Sequence, residues 1–274
     1  MSIIIISGDA YCTCKGVIEG VTETMGYKML GDEVIVEAAR EFGVPFRQLS
    51  KAIHEPPSFL GISAATKKKY IVYIQAVTMR HFLADNIVYH GPAGHLLIQG
   101  VSHVLKVRVT ANIEDRIKRK MEDEKVSETA ARKAIIALDK DAKKWAKAVY
   151  GFDDTHESLY DLVISLGQID PATAVDIVAN TVQTKRFQPM TYSIRCMKYV
   201  ELAARIKSKL IDIDPDVVVR VDDEKIHIHS SAPQRDGKKR IDDIKTVLAD
   251  IPDAKEPEIK VTKSIYDQIT DGHK

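Results

Sequence analysis

The feature that most constrains the fold is a run of four isoleucines, Ile3 to Ile6, followed by a polar loop and an amphipathic helix. Apolar β-branched residues at consecutive positions predict a strand buried on both faces, as the central strands of parallel sheets are. From Val17 the apolar residues recur at helical spacing, and Gly26 can end that helix in a left-handed conformation. A strand, a loop and a helix in this order build a site where backbone N–H groups and a helix N-terminus attract an anion.

The loop between that strand and that helix carries candidate residues for binding a phosphate. They are Gly8, Thr13, Lys15 and Gly16. The pattern G-x-x-x-x-G-K-[ST] is not met, because Thr13 or Cys14 stands where the second glycine is required. Val17 also stands near the position of the hydroxyl that would hold magnesium. A phosphate site and a plain strand-to-helix turn therefore both remain open.

Length and composition predict a globular protein of two domains. The 274 residues are many for one core, and a formal net charge of +1 gives no sign of a nucleic-acid partner. The apolar runs are too short to cross a bilayer, and no basic segment precedes a signal-peptide core, so we expect a cytoplasmic protein. Three cysteines fit a reducing compartment better than a disulfide framework.

Further apolar patterns predict the other elements of a parallel sheet with helices. Strands are expected over 86–90, 105–111 and 159–165, and helices over 33–43, 66–84, 113–124, 127–149 and 170–184, whereas 26–31 is expected to be a turn and 44–63 irregular. Asn112, Ser127 and Asp170 are the expected helix caps.

Two groups of residues are candidates for holding a substrate. Gly91, Gly94 and His95 follow the second strand, and ligands bind beyond the carboxyl ends of parallel strands. Asp32 and Glu33 begin the second helix, where stabilisation of the helix dipole is their alternative role.

Two charged helices lie between the third and fourth strands. The second ends in DKDAKKWAKAVYG, where Lys143, Lys144 and Lys147 fall within about one turn. A helix, a break and a basic helix predict a lid that closes over a polyanion, and a solvated basic face is the alternative. Trp145 is expected to be exposed on this lid.

The order of these elements, together with several letter matches, resembles the cytidylate kinase-like family of P-loop nucleoside monophosphate kinases over residues 1–183. The matching pieces are IIISGDAYCTCKGVIEGVTETMG, DEVIVEAAREFGV, YHGPAGHLLI, VTANIEDRIKRKME, ALDKDAKKWAKAVYG and LYDLVIS. The resemblance implies an α/β fold: a P-loop NTPase-like parallel sheet with flanking helices and a helical lid. It also implies a nucleotide ligand, ATP with Mg²⁺ as the cofactor, and catalytic roles for Lys15, Arg116, Lys143 and Lys144.

The chain departs from the family pattern at the phosphate-binding positions. Residues 11–14 replace the glycine-rich loop, Pro92 replaces an arginine after the middle strand, and Ala142 replaces an arginine of the lid. Added β-carbons obstruct the approach of the backbone to a phosphate, and lysine does not reproduce a bidentate guanidinium. We therefore expect a kinase-like domain that binds nucleotide and has lost most turnover. An active kinase that transfers the ATP γ-phosphate to CMP or dCMP is the alternative.

A second unit is expected after a linker at 184–195. Its expected elements are a helix over 195–211, strands over 217–221 and 225–229, a helix over 236–251 and a strand over 257–262. This small α+β unit of order αββαβ resembles a BON domain over 196–264. The resemblance implies a protein or phospholipid partner, and 265–274 is expected to be a frayed tail.

Two short pairs of residues have alternative interpretations. Cys12 and Cys14 form C-x-C, which can hold a soft metal or act as a redox switch. Zinc would lack its remaining ligands, so no metal site is predicted. His227 and His229 share one face of a strand, which is typical of a polar surface.

Overall fold

The structure is a computed structural model that describes residues 2–55, 62–91, 94, 98, 100–151 and 153–263. Within these ranges the chain forms a five-stranded sheet and a separate three-stranded sheet. No helix in the described part of the chain has the length and apolar character needed to cross a membrane.

A parallel sheet forms the centre of residues 2–190. Its strands are β1 (Ile3–Gly8), β2 (Lys28–Leu30), β3 (Ile87–Tyr89), β4 (Val104–Ala111) and β5 (Leu162–Leu166). The helices around it are α1 (Cys14–Met25), α2 (Glu33–Glu41), α3 (Phe46–His54), α4 (Ala64–Phe82), α5 (Ile113–Glu124), α6 (Glu128–Tyr150) and α7 (Pro171–Val182). The strand order is β2-β3-β1-β4-β5 with every pair parallel, which confirms the predicted α/β fold.

The four isoleucines form the most buried part of β1. All four side chains are 0 % exposed, because β3 and β4 flank the strand and helices cover both of its faces. Ile3 and Ile5 face a core built with α2, α3 and α4. Ile4 and Ile6 face a second core built with α1 and α7. The sequence prediction of a strand buried on both sides is confirmed.

The predicted helix caps are present. The side chains of Asn112, Ser127 and Asp170 each accept a hydrogen bond from a backbone N–H in the first turn of α5, α6 and α7. Gly26, with a φ of 63°, ends α1 in the left-handed conformation. These residues allow the ends of the long helices to be predicted correctly from the sequence, because a cap satisfies backbone groups that the helix itself leaves unpaired.

Two short segments differ from the expectation. The range 44–63 was expected to be irregular but contains α3, and the range 26–31 was expected to be a turn but contains β2. Both elements are too short to be stable alone and depend on tertiary contacts. Helix α3 buries Leu49, Ala52 and Ile53 in the core, and β2 pairs with β3.

The C-terminal region has the predicted order αββαβ. Its elements are α8 (Thr191–Leu210), β6 (Val218–Asp222), β7 (Lys225–Ala232), α9 (Gly237–Ala249) and β8 (Glu258–Lys263). Strands β6 and β7 form an antiparallel hairpin, and β8 pairs with β7 in parallel. Asp223 and Glu224 both have positive φ, which a tight hairpin turn requires. The range 265–274, expected to be a tail, lies outside the described residues.

Helix α8 joins the two regions because it contributes to two cores. Met197, Ala204 and Ile211 pack with α2, α3 and α4, whereas Ile206 and Leu210 pack within the C-terminal region. The range 184–195, expected to be a linker, holds a short 3₁₀ turn and the beginning of α8. The C-terminal region is therefore docked on residues 2–190 through a shared helix.

A buried carboxylate fastens the end of α8 to the small sheet. Asp214 is 5 % exposed and accepts hydrogen bonds from Ser230 Oγ at 2.7 Å and from the backbone N–H groups of Ser231 and Asp216 at 2.8 and 2.9 Å. Burial alone would raise the pKa of Asp214, but these hydrogen bonds stabilise the charged form and lower the pKa below its ordinary value.

Replacing Asp214 with asparagine is expected to lower the free energy of unfolding by about 2 kcal/mol at neutral pH, since hydrogen bonds to a charged group are lost. A carboxyl group with a lowered folded pKa gives stability that is present above its unfolded pKa and is lost as the pH falls through the folded pKa. The difference in free energy of unfolding between the parent and Asp214→Asn should therefore become smaller below about pH 4. Urea unfolding of parent, Asp214→Asn and the exposed control Asp243→Asn at several pH values measures it. A pH-independent difference would contradict this assignment.

Candidate functional site

A cleft of about 760 Å³ lies at the carboxyl edge of the parallel sheet. The end of β1 and the residues after it, Ser7 to Ala10, form its floor. Its lining also includes residues of α2, α3 and the segment that follows β3, together with residues of α6 and the segment before β5. Ligands of parallel α/β sheets bind at this edge, so the cleft is the candidate site.

Part of the candidate set predicted from the sequence lines the cleft. These residues are Gly8, Asp32, Glu33, Gly91, Arg116 and Lys143. Lys143 lies 3.4 Å from Asp153, with both side chains about half exposed. The tertiary structure therefore brings together residues that lie far apart in the sequence, between Gly8 and Lys143.

The other candidates lie elsewhere. Lys15 points to solvent, with its side chain 87 % exposed and its Nζ atom 3.7 Å from Glu19. Gly94 packs against the ring of Tyr89, where an added β-carbon would overlap the ring. Thr13, Gly16 and Lys144 are also absent from the cleft lining. His95 and Pro92 lie outside the described residues.

The loop from β1 to α1 has an unusual backbone. Tyr11 and Thr13 each have a φ of 63°, a left-handed conformation that favours glycine and that β-branched residues rarely adopt. Left-handed residues within a tight turn direct successive N–H groups to one side, which produces an anion-binding concavity. Tyr11 and Thr13 thus adopt a backbone conformation that is typical of glycine, although neither is a glycine.

The side chain of Tyr11 packs onto α5. Its hydroxyl donates to Glu124 and accepts a hydrogen bond from Lys120 at 2.9 Å, and the Lys120 ammonium lies 4.5 Å from the ring centre. Tyr11 also touches a small apolar cluster that includes Ile117 and Ile135. This packing connects the loop to α5 and α6.

Both arginines of the described cleft lining are held by carboxylates. Arg116 donates from Nη1 and Nη2 to Asp139 at 3.0 and 2.7 Å and from Nε to the Ala10 carbonyl at 2.8 Å. Arg108 donates to Asp9 at 2.5 Å. Burial raises the pKa of Asp9, although the charges of Arg108 and Arg116 oppose that shift. Both guanidinium groups therefore already donate hydrogen bonds to other groups of the protein.

Acidic groups outnumber permanent cations in the cleft lining that the structure describes. The acids are Asp9, Asp32, Glu33, Asp139 and Asp154, and the cations are Arg108, Arg116 and Lys143. A phosphate chain entering this cleft needs additional positive charge, which Mg²⁺ bound to the phosphates would supply. The described residues contain no group of three ligating side chains that would hold a metal directly.

Helix α6, the expected lid, packs against α3. Trp145 is only 5 % exposed, so the expectation of an exposed tryptophan was wrong. Its indole N–H donates to the Ala52 carbonyl at 2.8 Å, and its ring meets Tyr150 edge to face. Packing of a large aromatic residue into the core outweighs the polar character of the surrounding sequence.

Sequence reasoning missed several residues of the cleft, above all Asp9 and Arg108. They meet because β1 and β4 are neighbours and Ser7 lies opposite Arg108 in the register. The alternation of Lys106, Arg108 and Thr110 along β4 was the available signal, since one face of that strand is polar.

The chain is similar to several known proteins. The model of the Cytidylate kinase-like family matches residues 3–168. A cytidylate kinase of Staphylothermus marinus is 27 % identical over 143 residues, which cover 52 % of this chain and 79 % of that protein. An uncharacterized protein of Eubacterium ventriosum has a TM-score of 0.51 at 18 % identity, covering 66 % of this chain and 97 % of its own. A shikimate kinase of Acinetobacter baumannii, solved with shikimate, has a TM-score of 0.39 at 11 % identity, covering 69 % and 96 %.

Proposed function

This chain belongs to the Cytidylate kinase-like family, and on that premise we propose that it binds a nucleotide in the cleft and transfers phosphate slowly or not at all. The observation that carries the proposal is the pairing of both cleft arginines with carboxylates, Arg108 with Asp9 and Arg116 with Asp139.

Phosphoryl transfer depends on positioning and on neutralising the charge of the moving group. A guanidinium that already donates to a carboxylate and a carbonyl has few donors left for a phosphate, and Lys15 points away from the cleft. Losing one electrostatic contact to a transition state costs about 10²- to 10³-fold in rate. Several such losses together leave little turnover.

An apolar part of the cleft lining supports nucleotide binding. Met29, Ile53 and Leu138 give this part of the cleft an apolar surface of the kind on which a base packs. Asp32 and Glu33 also line the cleft, and a carboxylate accepts a hydrogen bond from the exocyclic amino group of cytosine. A cytosine nucleotide is therefore the proposed ligand.

An active nucleoside monophosphate kinase is the second candidate. The left-handed conformation of Tyr11 and Thr13 favours it, because the loop N–H groups would then be able to surround a phosphate. In that case the backbone of residues 8–16 and Lys15 would hold ATP. Mg²⁺ would neutralise its phosphates, and Lys143 and Lys144 would act from the lid.

We assign a separate role to the C-terminal region. Its αββαβ order supports a BON-like interaction module over about residues 196–264, with 1–183 as the kinase-like domain, and its partner would be a protein or a phospholipid surface. One face of its sheet carries the polar residues His227 and His229, partly open to solvent.

The test is a coupled assay of ADP release with CMP, dCMP and UMP, run beside a thermal-shift screen of the same nucleotides. We expect a raised melting temperature with a cytosine nucleotide, since ligand binding stabilises the native state, and no comparable turnover. Turnover in the usual kinase range of about 1–100 s⁻¹ would contradict the proposal and support the second candidate. No shift with any nucleotide would contradict nucleotide binding.

Replacing Thr13 with glycine is expected to raise the free energy of unfolding by about 1 kcal/mol, because glycine adopts the left-handed conformation without the cost of a β-carbon. It should also tighten binding of magnesium–ATP, since the loop backbone becomes more accessible. Thr13→Ala is the matched control, because it removes the hydroxyl and methyl group but keeps the β-carbon. Equal stability of the two variants in urea would contradict this explanation.

A further inference from the structure

Cys12 and Cys14, the two cysteines of the loop, lie next to each other. The sulfur atoms of Cys12 and Cys14 are in direct contact, and their Cα atoms are 5.3 Å apart, a separation that a disulfide spans. The third cysteine, Cys196, lies on α8 and is a free thiol. We propose that Cys12 and Cys14 form a reversible dithiol–disulfide site whose oxidised form holds the loop in its left-handed conformation.

A bond between these sulfurs fixes the backbone of the loop. Only Thr13 separates the two cysteines, so the bridge closes a small ring around the residue with a φ of 63°. Cys14 is also the first residue of α1. With the bridge intact, Thr13 leaves the left-handed conformation only if the start of the helix moves.

The surroundings of the pair leave little room for two separate thiols. Cys12 is 1 % exposed and Cys14 is 8 % exposed. A β-carbon on Gly8 would overlap Cys14 Sγ and lie 2.9 Å from Cys12 Sγ, so the sulfurs fill the space that the glycine leaves. The carbonyl oxygens of Asp9 and Val109 lie 3.8 and 3.9 Å from Cys14 Sγ. Reduction, which separates the sulfurs to van der Waals distance, therefore moves them outward and releases the turn at Thr13.

The reaction partner is a low-molecular-weight thiol and its disulfide. The thiolate of Cys14, the more exposed residue of the pair, attacks the external disulfide, forms a mixed disulfide and releases one external thiolate. The thiolate of Cys12 then attacks the Cys14 sulfur, forms the bridge and releases the second external thiolate. The two cysteine thiols lose two protons and two electrons, and the external disulfide becomes two thiols.

The consequence for ligand binding rests on the second candidate of the proposed function, in which the loop backbone holds ATP. If the loop N–H groups hold a phosphate only in the left-handed form, the oxidised protein binds magnesium–ATP more tightly than the reduced protein. By linkage, magnesium–ATP must then favour the disulfide by the same factor. Couplings of this kind are typically about 5- to 150-fold.

Thiol counting on the full chain tests the site itself. After equilibration in glutathione buffers, acid quenching and unfolding, we expect one titratable thiol at the oxidised end and three at the reduced end. Cys196→Ser should keep the two-thiol transition, and Cys14→Ser should abolish it. A constant count of three, or a transition that persists in Cys14→Ser, would overturn the proposal.

Trypsin cleavage after Lys15 tests the loop without any nucleotide. The side chain is exposed, so cleavage reports opening of the backbone around it. We expect cleavage to be slower in the oxidised protein by about fivefold or more, and Cys14→Ser to lose this dependence on reductant. Equal rates in both states would overturn the proposed control of the loop.

The same titration repeated with magnesium–ATP separates this inference from the proposed function. A shift of the midpoint toward the disulfide supports both. The other outcome is that the two-thiol transition and the slower cleavage of the oxidised protein are both observed, but magnesium–ATP does not move the midpoint. That result supports the redox site and rejects nucleotide binding by this loop.

Discussion

Replacing Met197 with alanine is expected to lower the free energy of unfolding of the whole chain by about 2–4 kcal/mol. Met197 lies on α8, beyond the parallel sheet in sequence, yet it is 2 % exposed and packs in the core that contains α2, α3 and α4. Loss of its side chain leaves a cavity between the C-terminal region and residues 2–190. The variant therefore weakens both regions.

Calorimetry with nucleotide absent measures this effect. We expect one main transition whose midpoint falls by several degrees, since 1 kcal/mol corresponds to about 2–4 °C in a chain of this size. Lys198→Ala, at the exposed neighbouring position of α8, is the control and should change little. Two transitions, of which only one responds to Met197→Ala, would show that the regions unfold independently and would contradict the shared core.

Replacing Arg116 with alanine is expected to lower stability by about 2 kcal/mol, because breaking a buried ion pair leaves its partner uncompensated. The expected loss of stability is moderate because the side chain of Asp139 is 37 % exposed and remains in part hydrated. Arg116 connects Ala10 of the loop to Asp139 of α6, so its loss should also loosen the packing of α6 at the cleft. Weaker nucleotide binding is the expected functional result.

The measurement pairs urea unfolding with a nucleotide thermal-shift titration. Arg119→Ala is the matched control, since Arg119 lies on the same helix but is exposed. If Arg116→Ala is as stable as the parent, the bidentate contact to Asp139 does not stabilise the fold and this prediction is wrong. Normal nucleotide affinity in that variant would show that nucleotide binding does not need this contact between the loop and α6.

The sequence predicted the central sheet because its signals are local and strong. A run of isoleucines has few alternatives to a buried strand, and the caps at Asn112, Ser127 and Asp170 act within a single helical turn. The hairpin formed by the expected strands 217–221 and 225–229 has the same kind of local signal. Alternating apolar residues on both sides of a short polar turn define its register.

The candidate site was only partly predictable. Asp32, Glu33, Arg116 and Lys143 were named from motif positions, and the structure places them around one cleft. The pairing of Asp9 with Arg108 joins residues far apart in the chain, and no local pattern shows which charge a guanidinium will meet. The roles of these residues remain predictions that the assays above address.

By itself the sequence determined the order of elements, the burial of β1 and the positions of the long helices, because hydrophobic periodicity and capping act over a few neighbouring residues. Only the tertiary structure decided that α3 and β2 form, that Trp145 turns inward and that α8 completes the core of the first region. These outcomes depend on apolar surface buried between distant segments, and that free energy exists only once the segments have met.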